Sequence, residues 1–366
     1  MLSELKIERY RGIRNLELKD LGMVNIIAGA NNTGKTSILE IIESLEAPDN
    51  LRAWRMIGRR EGNSPRMVTT VYDTMKSLFP LDVHDSDMII SYSGVYNSNP
   101  FEIEIKGKSF ETIVSDRQLD RLYAYKMSAD LEEADNVNEY ETGAIEIQYR
   151  INREACGEDI VYQVQRGLPN GQESNTRSVV SNVVYISPTQ HAQNFVFLDS
   201  LLTDPDIYEQ FVDIMREFDS VFVSINSVAE ERTWGRKYVV LSKNHREGLL
   251  LNAYGDGMKK AMLLLSAVLR AKDGILLLDE FETAIHNSAM ENVFSWILNT
   301  AKKMNVQVFM TSHSIEAIET VLKCCPNIQD EMRMITLVNV EDVVKVRNVN
   351  AKKAIQLLDE YGMELR

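Results

Sequence analysis

Apolar and polar positions alternate from residue 2 to 20 (LSELKIERYRGIRNLELKDL), with Leu5, Ile7, Leu16 and Leu18 on one side, which predicts two short strands around Arg11-Gly12. At Val24 to Ile27 the pattern becomes continuously apolar apart from one Asn, the mark of a strand buried on both faces. From Ile38 onward the spacing changes again. Ile38, Leu39, Ile41, Ile42 and Leu45 recur every three or four residues and predict a helix.

Farther along, Phe101 to Lys106 and Ser109 to Val114 alternate on either side of Gly107-Lys108, and we read them as a hairpin. Ala144 to Ile151 and Ile160 to Gln165 repeat that alternation, and Val183 to Ile186 closes a mostly antiparallel stretch of residues 90–187. Between these strands, Asp116 to Gly143 is acidic and reads as a helix running into an exposed loop. Asp204-Pro205 looks like an N-cap followed by proline in the first turn, opening a helix through Phe211, Ile214, Met215 and Phe218. A long apolar helix runs from Ala261 to Ala271, and buried strands are expected at Gly274 to Leu278 and Val306 to Met310. Two more strands follow Met332. The last helix, Ala351 to Tyr361, has Gly362 placed just beyond its end.

Gly29-Ala30-Asn31-Asn32-Thr33-Gly34-Lys35-Thr36 lies between the first buried strand and the first helix and fits the phosphate-loop pattern G-x-x-x-x-G-K-[ST] at every fixed position. Glycines let several backbone N–H groups turn toward one anion, and the helix start adds its positive dipole end. In that pattern Asn31 to Ser37 cradle the phosphates, with Lys35 reaching the β- and γ-phosphates of ATP and the Thr36 hydroxyl holding Mg²⁺. Gly274-Ile275-Leu276-Leu277-Leu278-Asp279-Glu280 is a buried strand ending in two carboxylates, the Walker B pattern. Asp279 is the second candidate Mg²⁺ ligand and Glu280 the general base for the attacking water. Asp204-Pro205-Asp206 and Asp85-Ser86-Asp87 also spell D-x-D, but capping and loop chemistry account for them.

Composition narrows the class. The chain has 366 residues and a net charge of −14, so it is not coated in the basic charge that dominates nucleic-acid affinity. The one concentrated basic stretch, Leu51 to Arg66, holds Arg52, Arg55, Arg59, Arg60 and Arg66 around Trp54, and reads either as a partner or DNA contact or as a solvated helix face. Three cysteines form neither a disulfide framework nor a zinc spacing. No apolar run approaches the ~18 residues of a membrane span, and the start lacks a signal-peptide centre. A cytoplasmic protein without a membrane contact is the expectation.

Tyr10-Arg11-Gly12-Ile13 ahead of V-N-I-I-A-G-A-N-N-T-G-K-T resembles the N-terminus of the RecF, SMC and OLD-type branch of the ABC ATPases. The resemblance is strong at residues 2–45 and 249–316 and weaker between them. It implies an α/β P-loop NTPase fold of ABC type, a mixed central sheet with an antiparallel β subdomain and a helical lobe. One domain is expected over 1–366, with a nucleotide-binding lobe at 1–190, a helical and signature lobe at 191–260 and a Walker B lobe with a final β-β-α at 261–366. The resemblance sets Arg11 beside the phosphates, against the alternative of a solvent-facing strand-end arginine. Gln190, after Ser187-Pro188-Thr189, becomes the Q-loop residue near Mg²⁺, against an ordinary turn glutamine. Tyr254-Gly255-Asp256-Gly257 takes the place of the signature, although it lacks the usual serine. His313, in Thr311-Ser312-His313-Ser314, becomes the switch histidine, and Phe281 to His286 the D-loop.

The same resemblance implies an ATP-dependent homodimer or higher oligomer in which Gly255 and Gly257 of one subunit meet nucleotide held by the other. OLD proteins carry a nuclease domain of ~100 residues, whereas about fifty residues follow His313. The expected function is therefore an ATP-hydrolysing switch or scaffold that controls a separately encoded effector such as a nuclease, in phage defence. A DNA-repair ATPase and a nucleotide-sensing assembly protein with little turnover are the alternatives.

Overall fold

In the computed structural model, residues 1–58, 70–80, 88–115, 139–165, 168, 176–188, 202–229, 236–283, 287–340 and 343–361 are described. The central sheet has the order β15-β14-β3-β13-β12-β8, formed by β3 (Val24–Gly29), β8 (Val183–Ile186), β12 (Ile275–Leu278), β13 (Gln307–Ser312), β14 (Met332–Val340) and β15 (Val343–Asn350). The five strands from β14 to β8 run parallel, and only β15 pairs antiparallel.

Both faces of this sheet are covered, which explains the unbroken apolar runs. Ile26, Leu276, Leu278, Val308 and Met310 pack on one side with α5 (Asp256–Arg270), α6 (Asn287–Lys303) and α7 (Ile315–Cys324). Ile27, Ile275, Leu277 and Phe309 point to the other side, against α1 (Lys35–Ser44). That second side is completed by a six-stranded antiparallel sheet, ordered β2-β1-β4-β5-β6-β7. Its strands are β1 (Leu2–Tyr10), β2 (Ile13–Leu18), β4 (Met88–Tyr96), β5 (Asn99–Ser115), β6 (Glu139–Ile151) and β7 (Glu154–Tyr162). Gln307 pins the two sheets together, taking Leu2 N–H at 2.7 Å and donating back to Leu2 and Gly22 carbonyls.

Three expectations change. Residues 101–114 lie within one 17-residue strand, Asn99–Ser115, and form no hairpin. Gly107 marks a close approach: a Cβ there would meet the Phe79 ring at 2.9 Å and Met88 at 3.1 Å. The turns lie at Asn97-Ser98 and Asn152-Arg153, whose positive φ angles suit two-residue hairpins. Residues 139–143, expected in a loop, open β6, while 116–138 lie outside the described residues. The stretch expected to be a helical lobe holds α4 (Pro205–Phe218), packed on a three-stranded sheet of β9 (Phe222–Ala229), β10 (Arg236–Ser242) and β11 (Leu249–Leu250). Alternation such as Tyr238 and Val240 on the inner face of β10 selects strand over helix there.

The remaining helices are α2 (Leu51–Gly58), α3 (Val71–Leu78) and α8 (Ala351–Tyr361); Gly362 lies outside the described residues. Trp54 of α2 is fully buried, donates its Nε1–H to Pro48 O and sits between Tyr10 and Tyr92, so it offers no stacking surface. Replacing such a side chain with Ala costs about 3–5 kcal/mol. Among the described residues no helix is long and apolar enough to cross a membrane.

Candidate active site

Four parallel neighbours, β3, β13, β12 and β8, end at the same edge of the central sheet, the edge where open α/β sheets bind ligands. β3 runs into the loop Gly29 to Lys35. Gly34 adopts φ +91, and a Cβ there would press on Ile13 at 3.1 Å, so glycine is required by both backbone and space. Asn32 also takes a left-handed φ of 64, and Asn31 and Asn32 are exposed at the rim. Thr33 is buried and donates to Ala30 O at 2.9 Å, bracing the loop.

Helix α1 then starts with Gly34 as N-cap and no side chain bonded to its first N–H groups. Such a start is ready to accept an anion. Lys35 Nζ is buried, donating to Gly29 O at 2.8 Å and Ala30 O at 3.0 Å, and lies 3.4 Å from His313 Nδ1. Burial lowers the Lys35 pKa, while the charges of Asp279, Glu280 and Glu282 pull it back up. Ser37 is buried in the first turn.

Asp279 follows β12 and gathers three hydroxyls. Thr36 Oγ1 donates to its Oδ2 at 3.0 Å, Tyr185 OH donates to the same oxygen at 3.0 Å, and Thr311 Oγ1 donates to Oδ1. Burial and the nearby Asp279 charge raise the Tyr185 pKa well above the ordinary phenol value, so it stays a donor. No group of three or more His, Cys, Asp or Glu side chains converges among the described residues. One carboxylate and one hydroxyl, both oxygen donors beside a phosphate loop, fit Mg²⁺, which takes few protein ligands and completes its shell with phosphates and water.

Glu280 has φ +48, which turns it out of the strand line, and its N–H donates to Thr311 Oγ1 at 2.9 Å. Its Oε1 lies 3.8 Å from His313 Nε2, and both side chains are about 40% exposed, at 41% and 37%. Lys35, Thr36, Asp279, Glu280 and His313 therefore converge within one chain. Arg11 does not join them: its guanidinium pairs with the buried Glu40 of α1 at 3.0 Å and donates to Ser77 O. Glu40 also accepts Tyr10 OH at 2.9 Å, so the Arg11 turn is fastened to the side of the phosphate-loop helix. Gly255 and Gly257 lie at the start of α5, in the neighbouring lobe. Gln190, His286 and Asp85 to Asp87 lie outside the described residues, as do Arg59, Arg60 and Arg66. Arg52 is exposed and Arg55 half-buried on α2.

Sequence reasoning missed Tyr185, Thr311 and Glu282, which hold the site's principal groups in place. Tyr185 is the one hydroxyl in the apolar strand Val183–Ile186, and that isolation was the available signal. A groove of ≈ 800 Å³ on the outer face of the antiparallel sheet lies apart from this chemistry, and Arg153 and Lys6 in its lining pair with Glu102 at 3.1 Å and Glu8 at 3.4 Å.

A protein of Helicobacter pylori described as an ATP/GTP phosphatase is 25% identical over 342 residues, covering 87% of each chain. The crystal structure of an SMC head bound to the C-winged helix domain of ScpA is 14% identical and covers 97% of this chain and 99% of its own, with a TM-score of 0.49. The SMC head domain from Thermotoga maritima is 12% identical over 95% of this chain and 99% of its own, at 0.44. Residues 24–319 match the family described as AAA domain, putative AbiEii toxin, Type IV TA system. That span includes every group at the converged site, and the chain belongs to this AAA family and is an ATPase.

Proposed function

We propose that two copies of the chain close around ATP, that hydrolysis reopens them, and that the cycle controls a separately encoded effector, in defence against phage. The start of α5 carries this reading. Side chains cap five other helices: Asn50, Thr70, Asp204, Ser314 and Asn350 each accept backbone N–H groups at a helix start. Helix α5 begins with Gly255 and no side-chain cap, as α1 begins with Gly34. Neither Gly255 nor Gly257 has a positive φ, and a Cβ on either meets nothing within 4 Å. Nothing among the described residues requires glycine there, and close approach by an outside group, the γ-phosphate on a second copy, accounts for it.

In this reading the phosphates of ATP lie over the Gly29 to Ser37 turn, with the Lys35 ammonium moving from the loop carbonyls to the β- and γ-phosphates. Glu280 takes a proton from water as the water oxygen attacks the γ-phosphorus, and ADP leaves with the broken bridging oxygen. His313 donates to the γ-phosphate. Mg²⁺, held by Thr36 and Asp279, supplies positive charge for the phosphate oxygens. Half-exposed Glu280 and His313 gain a dry surrounding when the second copy covers them. The family description, which names a toxin of a type IV system, supports an effector-linked role.

Glu280→Gln keeps the site's shape and removes the base. With ATP and Mg²⁺ it is expected to double in mass by light scattering, to remain a dimer, and to lose ATP turnover by about 10²–10³-fold. A monomer at saturating ATP counts against the closed pair. Unchanged turnover removes Glu280 from its role, and strong stimulation of the wild-type rate by double-stranded DNA at physiological salt shifts the output toward a DNA clamp.

A further inference from the structure

Directly after Glu280 the chain makes a 3₁₀ turn, Phe281–Thr283, that is fastened on three sides. Phe281 is buried edge-on against Phe294 of α6, with ring centroids 5.0 Å apart. Thr283 returns its N–H and its hydroxyl to Glu280 O, each at 2.9 Å. Lys260 of α5 donates to Thr283 O at 2.9 Å. The turn so held presents one carboxylate toward the site. Glu282 Oε1 accepts the backbone N–H of His313 at 2.7 Å, and Glu282 Oε2 is buried with no hydrogen-bond partner among the described residues. The carboxylate also adds to the charge felt by Lys35.

We infer that Glu282 is the positioning residue for His313. The His313 N–H stands just past the last residue of β13 and makes no ladder bond, so Glu282 fixes its backbone while the Ser312–Ser314 contacts hold the neighbouring peptides and Lys35 and Glu280 flank its ring. A bond to a carboxylate holds that peptide more firmly than one to a neutral acceptor. Burial of the second oxygen keeps water from competing. Because Lys260 ties the same turn to α5, a shift at the α5 start reaches His313 through three named residues, Lys260, Thr283 and Glu282. This rests on the reading of His313 as the γ-phosphate contact.

The test is steady-state ATP turnover by the full chain, with binding of a fluorescent ADP analogue measured beside it. Glu282→Ala is expected to lower kcat by about 10- to 100-fold and leave ADP affinity unchanged, since ADP lacks the γ-phosphate. Glu282→Gln, which keeps an acceptor oxygen, is expected to stay within about threefold of the wild type. His313→Ala is expected to be slow, and Glu282→Ala added to it no slower. If Glu282→Ala fails to fold, Glu282→Asp, one methylene shorter, takes its place with the same expected fall in kcat. Wild-type turnover in Glu282→Ala, a Glu282→Gln as slow as Glu282→Ala, or losses that multiply in the double variant would overturn the inference while leaving the His313 reading intact. A His313→Ala enzyme with normal kcat takes down both.

Discussion

Two helices in this molecule start on glycine with no side-chain cap, and they do so for different reasons. At α1 the chain itself demands the residue, because Gly34 sits at φ +91 with Ile13 against it. At α5 the backbone is ordinary and the space beside Gly255 and Gly257 is open. A glycine explained by its own fold reports on folding. A glycine that its own fold leaves unexplained reports on something arriving from outside. On the reading proposed above, the pair are two halves of one anion site set on different lobes.

The sharpest way to break this comparison is complementation. Lys35→Ala and Gly257→Trp should each lose nearly all ATP turnover, by on the order of 10³-fold, one from each half. Mixed in equal amounts they should recover about a quarter of the wild-type rate, because half of the pairs are then heterodimers with one intact composite site. No recovery on mixing denies that the halves meet across subunits. A smaller effect separates the two starts by stability. Gly34→Ala should cost about 1–3 kcal/mol, seen as a lower Tm, whereas Gly257→Ala should stay within about 0.5 kcal/mol of the wild type and still lose turnover. The last expected effect is one of pH and concerns a group on α1. Burial, with Glu40 and Glu46 nearby, pushes Glu43 up to about 8. The unfolded chain releases that proton near 4.5, so stability is full below that pH and falls as pH rises through 8. Urea midpoints should therefore decline between about pH 5 and pH 8 and level off above that, and Glu43→Gln should flatten the decline.

How much of this was legible beforehand follows the range of the forces involved. The phosphate loop, the Asp279-Glu280 strand end and the Asp204-Pro205 helix start are local patterns, and the structure forms each as the sequence implies. Gly107 misled because a glycine between alternating runs looks the same whether it turns the chain or admits a Phe79 ring from elsewhere. Arg11 is placed by Glu40, 29 residues on, a pairing that exists only once β1 and α1 pack. Tyr185, Thr311 and Glu282 were hidden for the same reason: each acts on a partner at least 31 residues away.

Glu280 carries a consequence for how such a chain ages under mutation. Its φ of 48 is a conformation that glycine holds without strain and glutamate does not. Non-glycine residues held this way cost on the order of 1 kcal/mol or more. A drift from glutamate to glycine at this one codon would therefore make the fold sturdier while, on the mechanism proposed above, silencing the motor. Copies released from the need to hydrolyse ATP have a downhill path toward inert, long-lived binders, and only selection for turnover keeps the strained acid in place.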